Sequence, residues 1–312
     1  MTVPPNGQHW ALAIHAGAGN HPRALLPEFE EDYRLGLRNA YLAGEEVLSA
    51  GGSGLDAVCA SVCQLEDDPL FNAGRGATLD AAGQAEHDSS VMTGQGSAGA
   101  IAASRLIRHP VLAARAVMEQ TPHVFIAAPT AELAHAWGLE TEPPEWFVTC
   151  ERRLQLAEIQ EAESSAPSHG TVGAVALDVC GQLAAATSTG GMANKAVGRI
   201  GDSPVIGAGT YAHAGTVAVS CTGMGEAFLE GGAAHEVHAR VAYLGQSPAA
   251  TAQWVLDEVI GTRASDGGMI VADANGGIVV AHNSAMMFSA WRDSEGTVKT
   301  LVNCLPGPQP AC

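Results

Sequence analysis

The 312-residue sequence predicts an α+β protein of stacked sheets covered by helices. Three observations carry that prediction. Short apolar runs bounded by Gly-rich turns recur in both halves of the chain, as strands require. Amphipathic segments with helical spacing accompany them in each half. Glycine is abundant, at 37 residues, while hydrophobic residues make up 46% and aromatics only 5%. Small apolar residues of this kind let layers approach closely, and a disordered chain would be poorer in them.

Taken in order, Trp10 to Ile14 is a buried strand that enters a Gly-rich turn at His15-Ala16-Gly17-Ala18-Gly19. From Glu28 to Ala50, the residues Phe29, Tyr33, Leu37, Tyr41 and Leu48 recur at helical steps, and Gly51-Gly52 closes the helix. Ser53 and Asp56 form an S-x-x-D cap for a second helix, which places Cys59 and Cys63 on its core face with Leu55, Val58 and Val62. After a turn at Asp67 to Arg75, strand-like pieces fall at Ala77 to Asp80, Glu86 to Thr93 and Ala98 to Leu106. A helix from Pro110 to Gln120, a strand at Val124 to Ala127 and a helix after Pro129 follow.

Residues 141–170 read as a connector, with Pro143-Pro144, a polar helical stretch near Glu151 to Ala162, and an exposed, flexible end at Ser164 to His169. Two strands, Thr171 to Leu177 and Leu183 to Ser188, then flank a tight turn at Asp178 to Gly181. Further strands are expected at Thr216 to Cys221, Met269 to Ala272, Ile278 to Ala281 and Thr297 to Leu301, with helices over Glu226 to Tyr243 and Pro248 to Ile260.

Composition narrows the function. A formal charge of −18, with 15 Lys and Arg against 33 Asp and Glu, leaves no basic footprint for nucleic acid or an anionic membrane. No window reaches the length of a membrane span, and no basic start leads into an apolar run, so the sequence is expected to be cytoplasmic. The seven cysteines form no CxxC pair, which argues for reduced thiols and against a zinc ribbon. Gly17-Ala18-Gly19 lacks the third glycine of a dinucleotide loop. His235-Glu236-Val237-His238 has H-E-x-H spacing instead of H-E-x-x-H, so it is expected as two histidines on a solvated helix. Neither a G-x-S-x-G elbow nor a Walker loop occurs.

The chemistry concentrates between Gly170 and Glu226. If the peptide bond before Thr171 is broken, the new α-amino group lies beside the threonine hydroxyl and can serve as its general base. One residue then supplies both nucleophile and base. The hydroxyls of Thr187-Ser188-Thr189 end the antiparallel partner strand, close to where Thr171 begins. Arg199 and Asp202 form a pair suited to a zwitterionic amino-acid head group, Arg for the carboxylate and Asp for the ammonium. Cys221-Thr222-Gly223-Met224-Gly225-Glu226 ends a strand with small residues whose N–H groups can form an oxyanion hole.

These stretches make the sequence resemble the isoaspartyl peptidase and L-asparaginase family of N-terminal threonine hydrolases, the plant-type asparaginases. The resemblance rests on HAGAG at His15, LEDDPLFNAGRGA from Leu65, HPVLAARAVMEQ from His109, GTVGAVALD from Gly170, ATSTGGMANK from Ala186, GRIGDSPVIGAGTYA from Gly198 and CTGMGE from Cys221. It covers nearly the whole chain.

The resemblance implies a four-layer αββα sandwich of the N-terminal-nucleophile hydrolase type. It implies cleavage between Gly170 and Thr171 into an alpha subunit, 1–170, and a beta subunit, 171–312, that form one domain. Thr171 would be the nucleophile, Thr189 would tune its hydroxyl, Asn72 would help to position it, and Thr222 and Gly223 would form the oxyanion hole. Arg199, Asp202 and Gly225 would bind the substrate. L-asparagine and β-aspartyl dipeptides are the implied substrates, and a homodimer of cleaved αβ units the implied assembly. The backbone carbonyls of Leu65, Glu66, Asp68, Phe71, Ala73 and Arg75 would hold a structural Na+ or K+, with no catalytic cofactor. Glycosylasparaginase is the near alternative, and an unprocessed, non-catalytic binder of the same fold the distant one. Two departures from the family pattern stand out: Ala16 where HGGAG has glycine, and Glu230 where an arginine is frequent.

Overall fold

The computed structural model describes residues 10–19, 27–162 and 170–302. The expected flexible end of the connector, Ser164 to His169, lies outside them. In the first half, strands β1 (Ala11–Gly19), β2 (His87–Thr93), β3 (Ala98–Ser104) and β4 (Phe125–Ala127) are joined by helices α1 (Pro27–Ser49), α2 (Gly54–Asp67) and α3 (Pro110–Gln120). Helices α4 (Ala131–Ala136) and α5 (Cys150–Glu161) close that half. The second half carries β5 (Val172–Leu177), β6 (Leu183–Thr189), β7 (Thr210–Ala212) and β8 (Val217–Gly223). It continues through α6 (Gly225–Gly231), α7 (Ala233–Leu244), α8 (Pro248–Trp254), β9 (Gly267–Asp273), β10 (Ile278–His282), β11 (Met286–Arg292) and β12 (Val298–Leu301).

Among the described residues the strands form two sheets, one ordered β12-β11-β1-β5-β6-β2-β3-β4 and the other β10-β9-β8-β7. All pairs are antiparallel except β3 with β4. Side-chain alternation along the strands builds three apolar seams between four layers. On β5, Val172, Ala174 and Ala176 pack with Leu37, Tyr41, Val58 and Val62 of the first helical layer. Val175 and Leu177, on the opposite face, pack with Leu183, Ala218, Ile270 and Ala272 between the sheets. Val219, Cys221, Met269 and Val271 face Phe228, Val237 and Leu256 of the second helical layer. This is the four-layer αββα sandwich expected.

The local signals explain most boundaries. Ser53 caps α2 by accepting the Asp56 N–H at 3.1 Å, and Pro110 opens α3. Four expectations are corrected. His15 to Gly19 is not a turn but the second half of β1, which stays paired to β11 through a bulge at Ala16. The bulge swaps faces, so that Ala18 joins the seam between the sheets. Ala77 to Asp80 supplies only isolated bridges, Leu79 with Ala85 and Asp80 with Lys195. The helix over Glu226 to Tyr243 breaks into α6 and α7 at Gly232, whose φ is +55°. Pro248 to Ile260 starts as α8 and turns π-helical from Val255.

The described part of the connector is anchored. Arg152 Nε donates to the Gly76 carbonyl at 2.6 Å, and Leu156 packs with Ala77, Leu79 and Phe147. No helix of the described residues is long and apolar enough to cross a membrane.

Candidate active site

Strand β5 begins one residue after Thr171, and its register pairs Val172 with Ser188. Extending that register sets Thr171 opposite Thr189, the last residue of β6. The Thr171 hydroxyl accordingly donates to Thr189 Oγ1 at 3.3 Å. Thr189 Oγ1 also accepts the Gly191 N–H at 2.9 Å and donates its own proton to the Gly170 carbonyl at 2.9 Å. Asn72 Nδ2 donates to the same carbonyl at 2.7 Å and to the Gly191 carbonyl at 2.7 Å. Asn72 Oδ1 in turn accepts the Thr78 N–H at 2.7 Å, which fixes the amide's orientation. The carbonyl of the bond expected to break therefore receives two hydrogen bonds, one from each side. Thr171 is 5% exposed.

Beneath this cluster, Gly173 gives His15 and Ser220 room between the sheets. A Cβ at position 173 would lie 2.0 Å from Ser220 Oγ and 2.6 Å from His15 Nε2. The vacated space holds a hydrogen-bonded chain: His15 Nε2 with Ser220 Oγ at 2.8 Å, Ser220 with Thr187 at 2.7 Å, then Thr210, Ser90 and the Ser203 carbonyl. Burial lowers the His15 pKa to about 3, against a smaller opposing pull from the Thr171 backbone, so the ring is neutral. On the other side of β6, Ser188 Oγ donates to Glu66 at 2.6 Å, as does the Val111 N–H at 3.0 Å. Burial raises the Glu66 pKa to about 8.

A small pocket opens over Thr171 and is lined by Gly170, Thr189, Gly191, Met192, Arg199, Gly201, Asp202, Ser203, Gly223 and Gly225. Its charged residues are unevenly satisfied. Arg199 Nε and Nη2 donate to the Glu226 carboxylate at 2.9 and 2.7 Å. Asp202 is buried, and its Oδ2 has no partner among the described residues. Burial raises the Asp202 pKa to about 7 despite the nearby Arg199 charge. A desolvated carboxylate oxygen without a donor is costly, and Asp202 is one of the residues that line the pocket.

The geometry thus brings Thr171, Thr189, Arg199, Asp202, Gly223 and Gly225 to one cavity, with Asn72 behind its wall. Thr222 lies one residue from that lining and is fully buried, its Oγ1 accepting the Ala18 N–H at 3.1 Å. The family model described as Asparaginase matches residues 8–302. The chain belongs to the asparaginase family. Family relatives include the isoaspartyl peptidases of Salmonella typhimurium and Escherichia coli K12, each 44% identical over 90% of this chain and over 94% and 92% of their own length. The isoaspartyl peptidase/L-asparaginase of Mus musculus is 42% identical over 88% of this chain and 86% of its own.

Within this asparaginase-family site, sequence reasoning missed Glu226, Ser220 and the buried role of His15. HAGAG contains His15 and CTGMGE contains Glu226, while Ser220 directly precedes CTGMGE. Of the other motifs, His238 is buried, not solvated: its Nδ1 meets Thr216 Oγ1 at 2.9 Å and its ring lies 4.5 Å from that of His213. Glu230 pairs with Arg263 at 3.3 Å on the surface, away from the pocket lining.

Proposed function

We propose that the chain is a self-processing amidohydrolase that cleaves the side-chain amide of L-asparagine and the isopeptide bond of β-aspartyl dipeptides. The observation that carries this reading is the Gly170 carbonyl, held by Asn72 Nδ2 and the Thr189 hydroxyl beside the Thr171 hydroxyl. Attack of Thr171 Oγ1 on the Gly170 carbonyl carbon moves negative charge onto an oxygen that already has two donors. The C–N bond then breaks as the Thr171 nitrogen takes a proton, leaving an ester on Oγ1. Water hydrolyses the ester, which releases Gly170 as a carboxylate and Thr171 with a free α-amino group.

The same residue then turns over substrate. The free amine accepts the Oγ1 proton, Oγ1 attacks the side-chain carbonyl of the aspartyl unit, and ammonia or an amino acid leaves. Water hydrolyses the acyl-enzyme. Arg199 takes the substrate α-carboxylate, Asp202 the α-ammonium, and Thr222 with Gly223 the oxyanion. The relatives' names support both substrate types, because the part of the substrate that meets the clamp is common to both.

A structural alkali cation belongs to this reading. Residues 65–76 fold back so closely that a Cβ at Gly74 would lie 2.3 Å from the Glu66 carbonyl oxygen, and one at Gly76 2.0 Å from that of Phe71. Hard carbonyl donors of this kind suit Na+ or K+. Leu65, Glu66, Asp68, Phe71, Ala73 and Arg75 would hold the ion, which would brace Asn72 without entering the reaction. A dimer of cleaved αβ units and a cytoplasmic location complete the proposal, the latter supported by free thiols at Cys59, Cys63, Cys150, Cys180 and Cys221.

Mass spectrometry of purified protein tests the core of it. Wild type should separate into chains of residues 1–170 and 171–312, while Thr171→Ala should stay intact and lose activity by a factor on the order of 10⁶. Cleavage persisting in Thr171→Ala would assign the cut to another protease.

A further inference from the structure

The Arg199 guanidinium offers two edges to a carboxylate, Nε with Nη2 and Nη1 with Nη2. Glu226, in the first turn of α6, occupies the first edge from outside the pocket lining. The second edge faces positions without side chains. A Cβ at Gly201 would lie 2.9 Å from Nη1, and one at Gly225 would lie 2.9 Å from both Nη2 and Asp202 Oδ1. Arg199 and Asp202 therefore flank a single glycine, yet the ion pair of Arg199 among the described residues is with Glu226 and not with Asp202.

A second pairing is open to Arg199. Asp202 keeps an oxygen without a partner among the described residues and shares the Gly225 wall with the guanidinium, so an Arg199 released from Glu226 has a buried acceptor beside it. Such a pairing would quench both halves of the head-group site at once. We propose that Glu226 is a positioning residue that holds Arg199 off Asp202 and so keeps the zwitterion site open. This rests on the assignment of Arg199 and Asp202 to the substrate head group, and it adds the residue that prevents their collapse onto each other. Glu226 acts through Arg199 and touches no reacting atom.

Three variants and two substrates decide it. L-Asparagine engages both halves of the site, whereas 3-aminopropanamide keeps the ammonium and the scissile amide but lacks the carboxylate. Glu226→Gln should raise KM for L-asparagine about tenfold while kcat changes far less. It should also raise KM for 3-aminopropanamide several-fold, because the released Arg199 closes on Asp202. In the double variant Arg199→Leu with Glu226→Gln no guanidinium remains to collapse, so KM for 3-aminopropanamide should return to the value of Arg199→Leu alone. An unchanged or lowered KM for L-asparagine in Glu226→Gln would overturn the proposal, as would a double variant no better than Glu226→Gln on 3-aminopropanamide. If Arg199→Leu itself leaves KM for L-asparagine unchanged, the head-group assignment fails instead.

Discussion

Around Thr171 the hydroxyls and amides of Thr189, Asn72 and Thr78 all have partners, whereas 202 residues into the chain a buried carboxylate is left with an empty oxygen. In the first region the groups bonded to Thr171 and Gly170 are neutral, although Asp88, which pairs with Thr189 across β2 and β6, and His15 also keep a buried atom without a partner among the described residues. The second carries Arg199, Asp202 and, just outside the lining, Glu226. The difference matches the roles proposed for the two regions. A nucleophile has to be aimed before any substrate arrives, so in the proposed reading the side chains that bond directly to Thr171 and Gly170 are satisfied internally. A head-group site must leave charge unsatisfied, because its missing partners come with the substrate.

Removing one donor from the closed region should have the largest effect. Thr189→Val keeps the volume but deletes a hydroxyl that bonds Gly170, Thr171 and Gly191. Loss of one such oxyanion donor typically costs about 10² to 10³ in rate. Self-cleavage of this variant, followed as the disappearance of the intact chain, should slow by that factor, with Asn72 still supporting a residual rate. Cleavage at the wild-type rate would show that the hydrogen bond to Gly170 orders the chain without assisting its scission.

Much of this arrangement was legible in the sequence, and the illegible parts share a cause. Thr171, Thr189, Arg199 and Asp202 sit in stretches where Gly, Thr and charged residues interrupt apolar runs, and those stretches are the ones that carry the family resemblance. The strand β11 did not stand out because Met286 to Arg292 lacks flanking glycine turns and mixes Ser289 and Arg292 with apolar residues. The strand β7 has only three residues. Glu226 was invisible as a partner of Arg199, since the two are 27 positions apart with two strands between them. Contacts of that kind are set by the packing of α6 against the end of β8, and no local pattern records them.

A smaller effect should follow from filling the space beneath Thr171. Gly173→Ala would bring a methyl against Ser220, His15 and the Ala186 carbonyl, which a Cβ would approach to 2.9 Å. Overpacking of this kind costs about 1 to 3 kcal/mol. Thermal denaturation should show the lowered midpoint, and calorimetry of the same variant should show the loss shared between the uncleaved and cleaved forms. An unchanged midpoint would mean that the seam between the sheets can widen, and that the closed region is less rigid than its hydrogen bonds imply.

The open region should reveal itself most subtly, through pH. Burial raises the Asp202 pKa from 3.8 to about 7, so the empty enzyme carries this carboxyl protonated below that pH and ionised above it. Only the ionised form can pair with a substrate ammonium. In the free-enzyme profile, kcat/KM should therefore fall as pH drops below about 7, approaching tenfold per pH unit, and Asp202→Asn should abolish that limb along with most of the binding. Stability must move the opposite way. The folded chain retains a proton between pH 3.8 and 7 that the unfolded chain has already released, so unfolding becomes easier as pH rises through that window and levels off above it. Asp202→Asn should remove this part of the slope and melt higher than wild type at pH 8, since it replaces an unpaired buried charge with a neutral amide. Melting curves of both proteins from pH 5 to 8 check the sign. A wild-type enzyme that gains, through Asp202, stability over that range would place the carboxylate in an internal ion pair, and the contrast between the closed and open regions would disappear.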